Sequence, residues 1–406
     1  MRIAVVGGGV GGLSAAWYLQ ERHDVTLFEA SDRLGGHANP VAVPHPTRGS
    51  VLVDTGFLVF NLHTYPRFLA WLEALGLEDH VRPTDMALSY DDVDRDLRWA
   101  SPDLGGVFHQ RRNLVRPAFW RMLWELFRFR REARADLHAG RLSGRSMEIY
   151  LREGGYSECF VRDLFVPATA AIWSLPTEAC LAFPAESYVR FFDNHLMLQG
   201  VPEKLWRTLA GSSATYLAAF RRQFRGEVRL ACPVVGVGAG GVRLAEGAEA
   251  FEAVVMATHA DTSLELLTDP TPDQRAVLAP WRFSPSPAVL HTDPSLLPAD
   301  RRLWRSWNLR IEGERTTVTY HLNRVQDLDG APDVFLSLAP ERVDASRVIA
   351  RFDYRHPVFE QSALLARERL AGIQGAGGLW FCGAWCGYGF HEDAIVAALA
   401  VVDGIG

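Results

Sequence analysis

Gly7, Gly9 and Gly12 form the pattern GxGxxG directly after the apolar run Arg2 to Val6. Placed between a strand and a helix, that spacing fits the binding of a dinucleotide pyrophosphate. Gly7 permits a tight turn, Gly9 lets the backbone approach phosphate, and Gly12 lets the helix pack closely on the strand. Val10 and Gly11 fall at the helix N-terminus, where free N–H groups and the positive dipole end meet the phosphates. Glu29, with Ala30 behind it, ends a second strand-like run, Val25 to Glu29, about 20 residues further on, as the fingerprint requires. Its carboxylate would accept hydrogen bonds from ribose hydroxyls and repel a 2′-phosphate, which disfavours NADP.

These residues need a βαβ unit to hold them. Arg2 to Val6 reads as a buried parallel strand, Leu13 to Gln20 as a helix and Val25 to Glu29 as the next strand. From about Pro83 to Phe224 the texture is helical and rich in Trp, Phe and Arg, without βαβ rhythm. Strand-like runs return at Val228 to Val237 and Val254 to Thr258. Alternating segments between Ser284 and Leu338, such as Thr316 to Leu322 and Asp333 to Leu338, suggest an antiparallel sheet. Leu379 to Val402 reads strand, glycine loop, helix. The expected fold class is α/β: a discontinuous Rossmann-like domain (1–82, 225–265 and 372–406) with an inserted α+β substrate domain of antiparallel sheet and helical cap (83–224 and 266–371).

The chain has 406 residues, 48% of them hydrophobic, so its core is large and one simple domain is too small to hold it. A formal net charge of -6 points away from nucleic acid as a partner. The five cysteines form no CxxC pair, so neither a disulfide framework nor a zinc site is expected; reduced thiols fit the cytoplasm. The strand-like opening leaves no signal peptide expected. The longest apolar stretch, Ala394 to Val402, is far shorter than the roughly 18 residues that would span a bilayer.

With Arg33, Gly35 and Gly36 the motif extends to GxGxxG…E…RxGG. Here the sequence resembles the flavin amine oxidase, protoporphyrinogen oxidase and phytoene desaturase superfamily, which implies FAD. Val53-Asp54-Thr55-Gly56-Phe57 resembles the segment passing under the flavin ring, which implies roles for Gly56 and Phe57. Pro233-Val234 resembles the strand whose backbone pairs with adenine, which makes Val234 a backbone ligand. Met256-Ala257-Thr258-His259 stands where the family usually has A-T-G. Phe381-Cys382-Gly383 and Gly389-Phe390-His391-Glu392-Asp393-Ala394 resemble the C-terminal flavin motif, implicating Gly383, Ala384, Gly389, Phe390 and His391. The resemblance also implies that the last helix points its N-terminus at the flavin. Two departures stand out: Ala384-Trp385 replaces an acidic residue, and His37 replaces the usual arginine after GG. Cys382 and Cys386 lack the spacing of a cysteine-linked flavin, so the FAD is expected to be non-covalent. The stretches Ala171-Ile172-Trp173-Ser174, Phe191-Phe192-Asp193-Asn194-His195 and Gly387 to Asp393 resemble a bacterial branch whose members accompany, or are fused to, cyclopropane fatty acid synthases. That likeness implies lipid chemistry and a lipid methyltransferase as partner.

Candidates for catalysis follow from this frame. His391 with Glu392 opens the last helix beside the expected flavin, as base or relay, or else as helix capping. His195, after Asp193-Asn194, is either a pocket base or a core histidine. Alternation puts Tyr320 on one strand face and His321 with Asn323 on the other, one of which would line the pocket or face solvent. Trp173, Trp307 and Asn194 are further pocket candidates. His259-x-Asp261 and His291-x-Asp293 are isolated pairs, read as structural and not as metal sites. Lys204, the only lysine, lies in a helical stretch, which disfavours the lysine-assisted chemistry of many amine-oxidising relatives. The stretch 116–131, RPAFWRMLWELFRFRR, is either an interfacial helix in peripheral contact with a membrane or a cap helix packed on the domain. The expected activity is FAD-dependent dehydrogenation or desaturation of a lipid-like substrate, with hydride passing to flavin N5 and oxygen, a quinone or another carrier as acceptor. The rivals are a flavin-dependent isomerase, an amine oxidase, and a non-catalytic FAD-bound partner of a lipid methyltransferase.

Overall fold

The computed structural model describes residues 1–173, 177–199, 205–313, 315–326, 328–340 and 342–406, without the side chains of 171, 173, 177 and 178. Five parallel strands form the first sheet, in the order Glu227–Arg229, Asp24–Phe28, Arg2–Val6, Ala253–Met256, Leu379–Phe381. The central strand is apolar from Ile3 to Val6 and buried, as a parallel strand covered on both faces must be. The first helix, Val10–Leu19, and the last, His391–Ile405, pack together on one side of this sheet. Gly11 faces Ala394 at this contact, where an added Cβ would lie at an ordinary van der Waals distance of 3.6 Å. The first helix starts three residues earlier than its apolar pattern predicts and takes Gly11 and Gly12 into its first turn, where close packing overrides poor helix propensity.

A second sheet has seven strands, in the order Val348–Val358, Arg282–His291, Phe335–Leu338, Arg315–His321, Trp307–Glu312, Leu88–Asp92, Leu97–Ala100. All neighbours are antiparallel except Trp307–Glu312 with Leu88–Asp92. Its last two strands lie within 83–224, where helical stretches were expected to dominate and no strand was singled out. Asp91 and Asp92 are polar yet buried, because Arg98 and Arg95 bind their carboxylates at 2.8 and 3.0 Å. Such a strand has no apolar alternation to read. Helices follow from Pro117–His138 to Ala185–Asn194, and much of their aromatic content forms a buried cluster of Phe129, Tyr150, Tyr156, Phe160, Phe165 and Tyr188. The fold is thus α/β, a parallel sheet beside an antiparallel-dominated sheet with a helical cap. Among the described residues no helix is long and apolar enough to cross a membrane.

Candidate active site

At the end of the central strand, Gly7 takes φ +110°, and a Cβ on Gly12 would come within 1.8 Å of the Gly7 carbonyl oxygen. Only glycine fits either position. No side chain caps the first helix and no acidic residue lies in its first turn, so its N–H groups and positive end remain available. A Cβ on Gly9 would meet nothing within 4 Å, which leaves room for a ligand directly over the turn. Glu29 accepts from the Gly8 N–H at 2.7 Å and from the Ser31 N–H and hydroxyl at 2.8 Å each. A carboxylate takes about four such bonds, so it retains capacity for a ribose hydroxyl. Arg33 donates to the Gly36 carbonyl at 2.9 Å and braces the loop; neither it nor the exposed Ala30 lines the cavity, and Gly12 lies beneath it. Val234 lies between strands, and neither its N–H nor its C=O joins a described hydrogen bond, as a backbone ligand requires.

From this turn one cavity of about 440 Å³ runs past Gly35, Gly36, Gly56, Thr258, Gly383 and Gly389 to the second sheet. Phe57 and His391 stack in its wall with ring centroids 3.5 Å apart. Burial pushes the His391 imidazole down to about 3, and its Nε2 lies 3.4 Å from the Tyr216 hydroxyl. It is a neutral stacking group without a charged partner. Glu392, expected beside the flavin, faces elsewhere: its two oxygens accept from the N–H groups of Arg67 and Phe68 at 2.9 Å each. It caps the helix Pro66–Ala74, and the proposed base or relay role gives way to that contact.

At the far end the cavity is walled by Leu58, Val59, Met86, Met197, Leu336 and Leu338, with Trp307 and Tyr320 from adjacent strands. Trp307 and Tyr320 meet edge to face at 5.4 Å. His195 lies between this cavity and a second one that it shares with His63, Asn194 and Glu392. Its Nδ1 is 2.9 Å from the Phe191 carbonyl, which can only accept, so Nδ1 carries the proton and Nε2 is left as a lone-pair acceptor. Burial pushes it down to about 4. Asn194 lines only the second cavity. Asn323 lines neither, because the strand stops at His321; its side chain binds Ala331, Pro332 and the N–H of Val334, and so fastens a loop. The side chain of Trp173 and the whole of Lys204 lie outside the described residues.

Three histidines that the motifs left unconnected meet in the cavity wall. His37 lies 5.2 Å from His356 and 6.1 Å from His259, ring to ring, and stacks on Tyr354 at 5.0 Å. His259, read in the segment that stands where the family usually has A-T-G and as the partner of Asp261, stacks on Phe283 at 4.1 Å, while Asp261 pairs with Arg355. Burial, then repulsion from His356, His259 and His391, pushes His37 down to about 3. Burial and His259 push His356 down to about 4. The His37 Nε2 and the His356 Nδ1 are buried and, among the described residues, unpartnered. Such an atom costs about 1–3 kcal/mol, and polar groups of a ligand in this cavity would relieve both. The sequence signals were His37 in place of arginine and His259 in the segment at the A-T-G position; His356 belongs to no motif. Among the described residues no three His, Cys, Asp or Glu side chains are grouped to hold a metal ion.

Residues 10–300 match the family model described as flavin containing amine oxidoreductase. The CLA-producing fatty acid isomerase from P. acnes shares the fold with a TM-score of 0.72 at 14% identity, over 99% of this chain and 98% of that one. Cyclohexylamine oxidase from Brevibacterium oxydans does so at 0.72 and 15%, over 100% and 99%. Putrescine oxidase bound to putrescine gives 0.71 and 13%, over 100% and 99%. Identities this low establish the fold alone. The family is flavin containing, and the residues present fit the flavin dinucleotide FAD. The glycine turn and helix N-terminus suit the diphosphate, Glu29 the ribose, and Val234 the adenine. The orphaned nitrogens of His37 and His356 suit polar atoms of the cofactor.

Proposed function

The chain belongs to the flavin containing amine oxidoreductase family, as an FAD-dependent oxidoreductase, and we propose that within it the protein dehydrogenates or desaturates a long, lipid-like apolar substrate. One observation carries this reading: among the described residues, the end of the cavity farthest from the glycine turn has no charged side chain. Of the described residues lining the cavity only Glu29 and Arg355 are formally charged; Glu29 lies at the glycine turn, and Arg355 is paired with Asp261. Among the described residues no carboxylate at that end could hold a small cationic amine by charge, although aromatic rings such as Tyr388 and Phe390 line the cavity. An acyl chain needs only apolar walls, at about 0.8 kcal/mol per buried CH₂.

When bound, FAD supplies a two-electron, hydride-accepting centre. The residues of the chain orient the substrate and exclude water around it. Trp307, Tyr320, Leu336 and Leu338 hold the acyl chain against the flavin side of the cavity. His195, neutral above about pH 4, is the acceptor for the proton lost with the hydride; Nε2 takes it, and the second cavity leads it outward. The segments 1–82, 225–265 and 372–406 form the FAD-binding unit in this reading, and 83–224 with 266–371 the substrate unit. The FAD is held without a covalent link: burial pushes the Cys382 thiol up to about 12 and the Cys386 thiol well above its ordinary value, and neither lines the cavity. The resemblance to the branch accompanying cyclopropane fatty acid synthases supports modified acyl chains as substrates, a lipid methyltransferase as partner, and a cytoplasmic setting. Isomerisation without net redox change uses the same apolar cavity, and one structure of this fold is named as a fatty acid isomerase. Mass spectrometry of the organic extract of the purified protein tests the substrate class. A bound long-chain lipid is expected; a hydrophilic amine in its place would overturn the reading, and product formation without consumption of any acceptor would establish the isomerase instead.

A further inference from the structure

The helix Pro117–His138 is apolar on two sides. Phe119, Met122, Phe129 and Ala133 are buried in the cap, as a packed helix requires. On the outward side, one turn apart, Trp120, Trp124 and Phe127 are 48%, 58% and 65% exposed. The preceding short helix, Arg111–Val115, adds Leu114 at 49% and Val115 at 80%. Trp120 Nε1 donates to the Leu114 carbonyl at 2.9 Å, which ties the two stretches into one patch. Five large apolar side chains gathered on one edge form a patch of the kind that marks a docking surface.

The charge around the patch is weighted towards arginine. Between Arg111 and Arg134 the sequence has eight arginines and two glutamates, in a chain whose net charge is -6. Glu125 is buried under Arg121 and the Ser157 backbone, so it adds no exposed negative charge. Arg111 and Arg112 are exposed on one side of the apolar row, and Arg131 and Arg134 on the other; Arg112 pairs with Asp96, Arg131 with Glu132 and Arg134 with Asp193, which leaves the arginines of the stretch in excess over these carboxylates. A protein-binding surface tends to be depleted in charge at its core and enriched in aromatics. Tryptophan and phenylalanine between exposed arginines, on a helix too polar to insert fully, is the pattern of a helix lying in a membrane interface.

We propose that this edge docks the enzyme on a bilayer containing anionic phospholipid. Trp120, Trp124, Phe127, Leu114 and Val115 enter the boundary between headgroups and acyl chains, and the flanking arginines bind lipid phosphates. The proposal stands on this surface and is independent of which molecule the cavity takes.

Flotation of the flavin-loaded protein with vesicles tests it. The protein is expected to float with vesicles of phosphatidylcholine mixed with phosphatidylglycerol, weakly with phosphatidylcholine alone, and less at high salt. The triple variant Trp120→Ser, Trp124→Ser, Phe127→Ser is expected to stay unbound while keeping its flavin spectrum. Arg131→Glu is expected to weaken binding roughly tenfold. If the triple variant loses its flavin, the single variants Trp124→Ser and Phe127→Ser carry the test, each expected to reduce flotation. Failure to float with anionic vesicles, or flotation unchanged in these variants, overturns the proposal. So does a dimer by light scattering that the variants dissociate, which would make a second copy of the chain the occupant. Flavin reduction by soluble substrates reads the cavity separately, so the two proposals fail independently.

Discussion

The place of Glu29 beside the glycine turn was legible because it depends only on the spacing from that turn, and the structure puts its carboxylate there, 2.7 Å from the Gly8 N–H. Glu29→Ala is expected to weaken FAD binding by about 1.5–3 kcal/mol for each charge-assisted bond lost, measured by titrating apoprotein and following flavin fluorescence. His37 and His356 give a sharper contrast. Each holds an orphaned nitrogen in the cavity wall, so His356→Leu is expected to leave apoprotein stability nearly unchanged and to weaken FAD binding by about 1 kcal/mol. Equal losses in both quantities would show that the imidazole serves packing alone. This cluster was hidden in the sequence, since positions 37, 259 and 356 meet only when the second sheet closes over the glycine turn.

The last helix was legible as an element, while the role of its first residues was not. Its N-terminus lies at the cavity as the flavin motif implies, with His391 stacked on Phe57. Glu392, one residue on, points away along the helix surface and caps a neighbour, which no local pattern records. Glu392→Gln is therefore expected to lower stability by about 1–2 kcal/mol through the loss of two charge-assisted caps, with flavin reduction unchanged. Denaturant unfolding and anaerobic reduction measure the two effects, and a large fall in reduction rate with intact stability would restore the catalytic assignment. Asn323 failed for a similar reason: alternation was carried two residues beyond the end of the strand at His321. Leu88–Asp92 escaped notice because its buried carboxylates need arginines from the adjoining strand and turn before they can be buried.

At the scale of the whole molecule, burial keeps many histidines neutral. His37 and His391 are pushed down to about 3, and His195, His291 and His356 to about 4. Each then binds a proton more readily in the unfolded chain, whose histidines titrate near about 6.5. Their contribution to stability is fully present above that pH and is lost as pH falls, by up to about 1.4 kcal/mol per group per pH unit. Asp54 and Asp393, pushed up to about 7 and about 6 by burial, act in the opposite sense, their contribution being lost as pH rises. Five histidines against two carboxyls leave acid as the destabilising direction. The melting temperature of the flavin-loaded protein is expected to fall steadily from about pH 7 to about pH 5, with a shallower slope in His356→Leu. A pH-independent melting temperature would contradict the neutral cluster.

Among the described residues the far end of the cavity has no charge for a cationic substrate, and the central claim rests there. Its most direct test is anaerobic reduction of the bound flavin, followed by loss of visible absorbance, with phospholipids, free fatty acids, acyl thioesters and primary amines offered in turn. The account requires bleaching by at least one long-chain lipid and none by simple amines. Rapid bleaching by simple amines, with no response to any lipid, would contradict it.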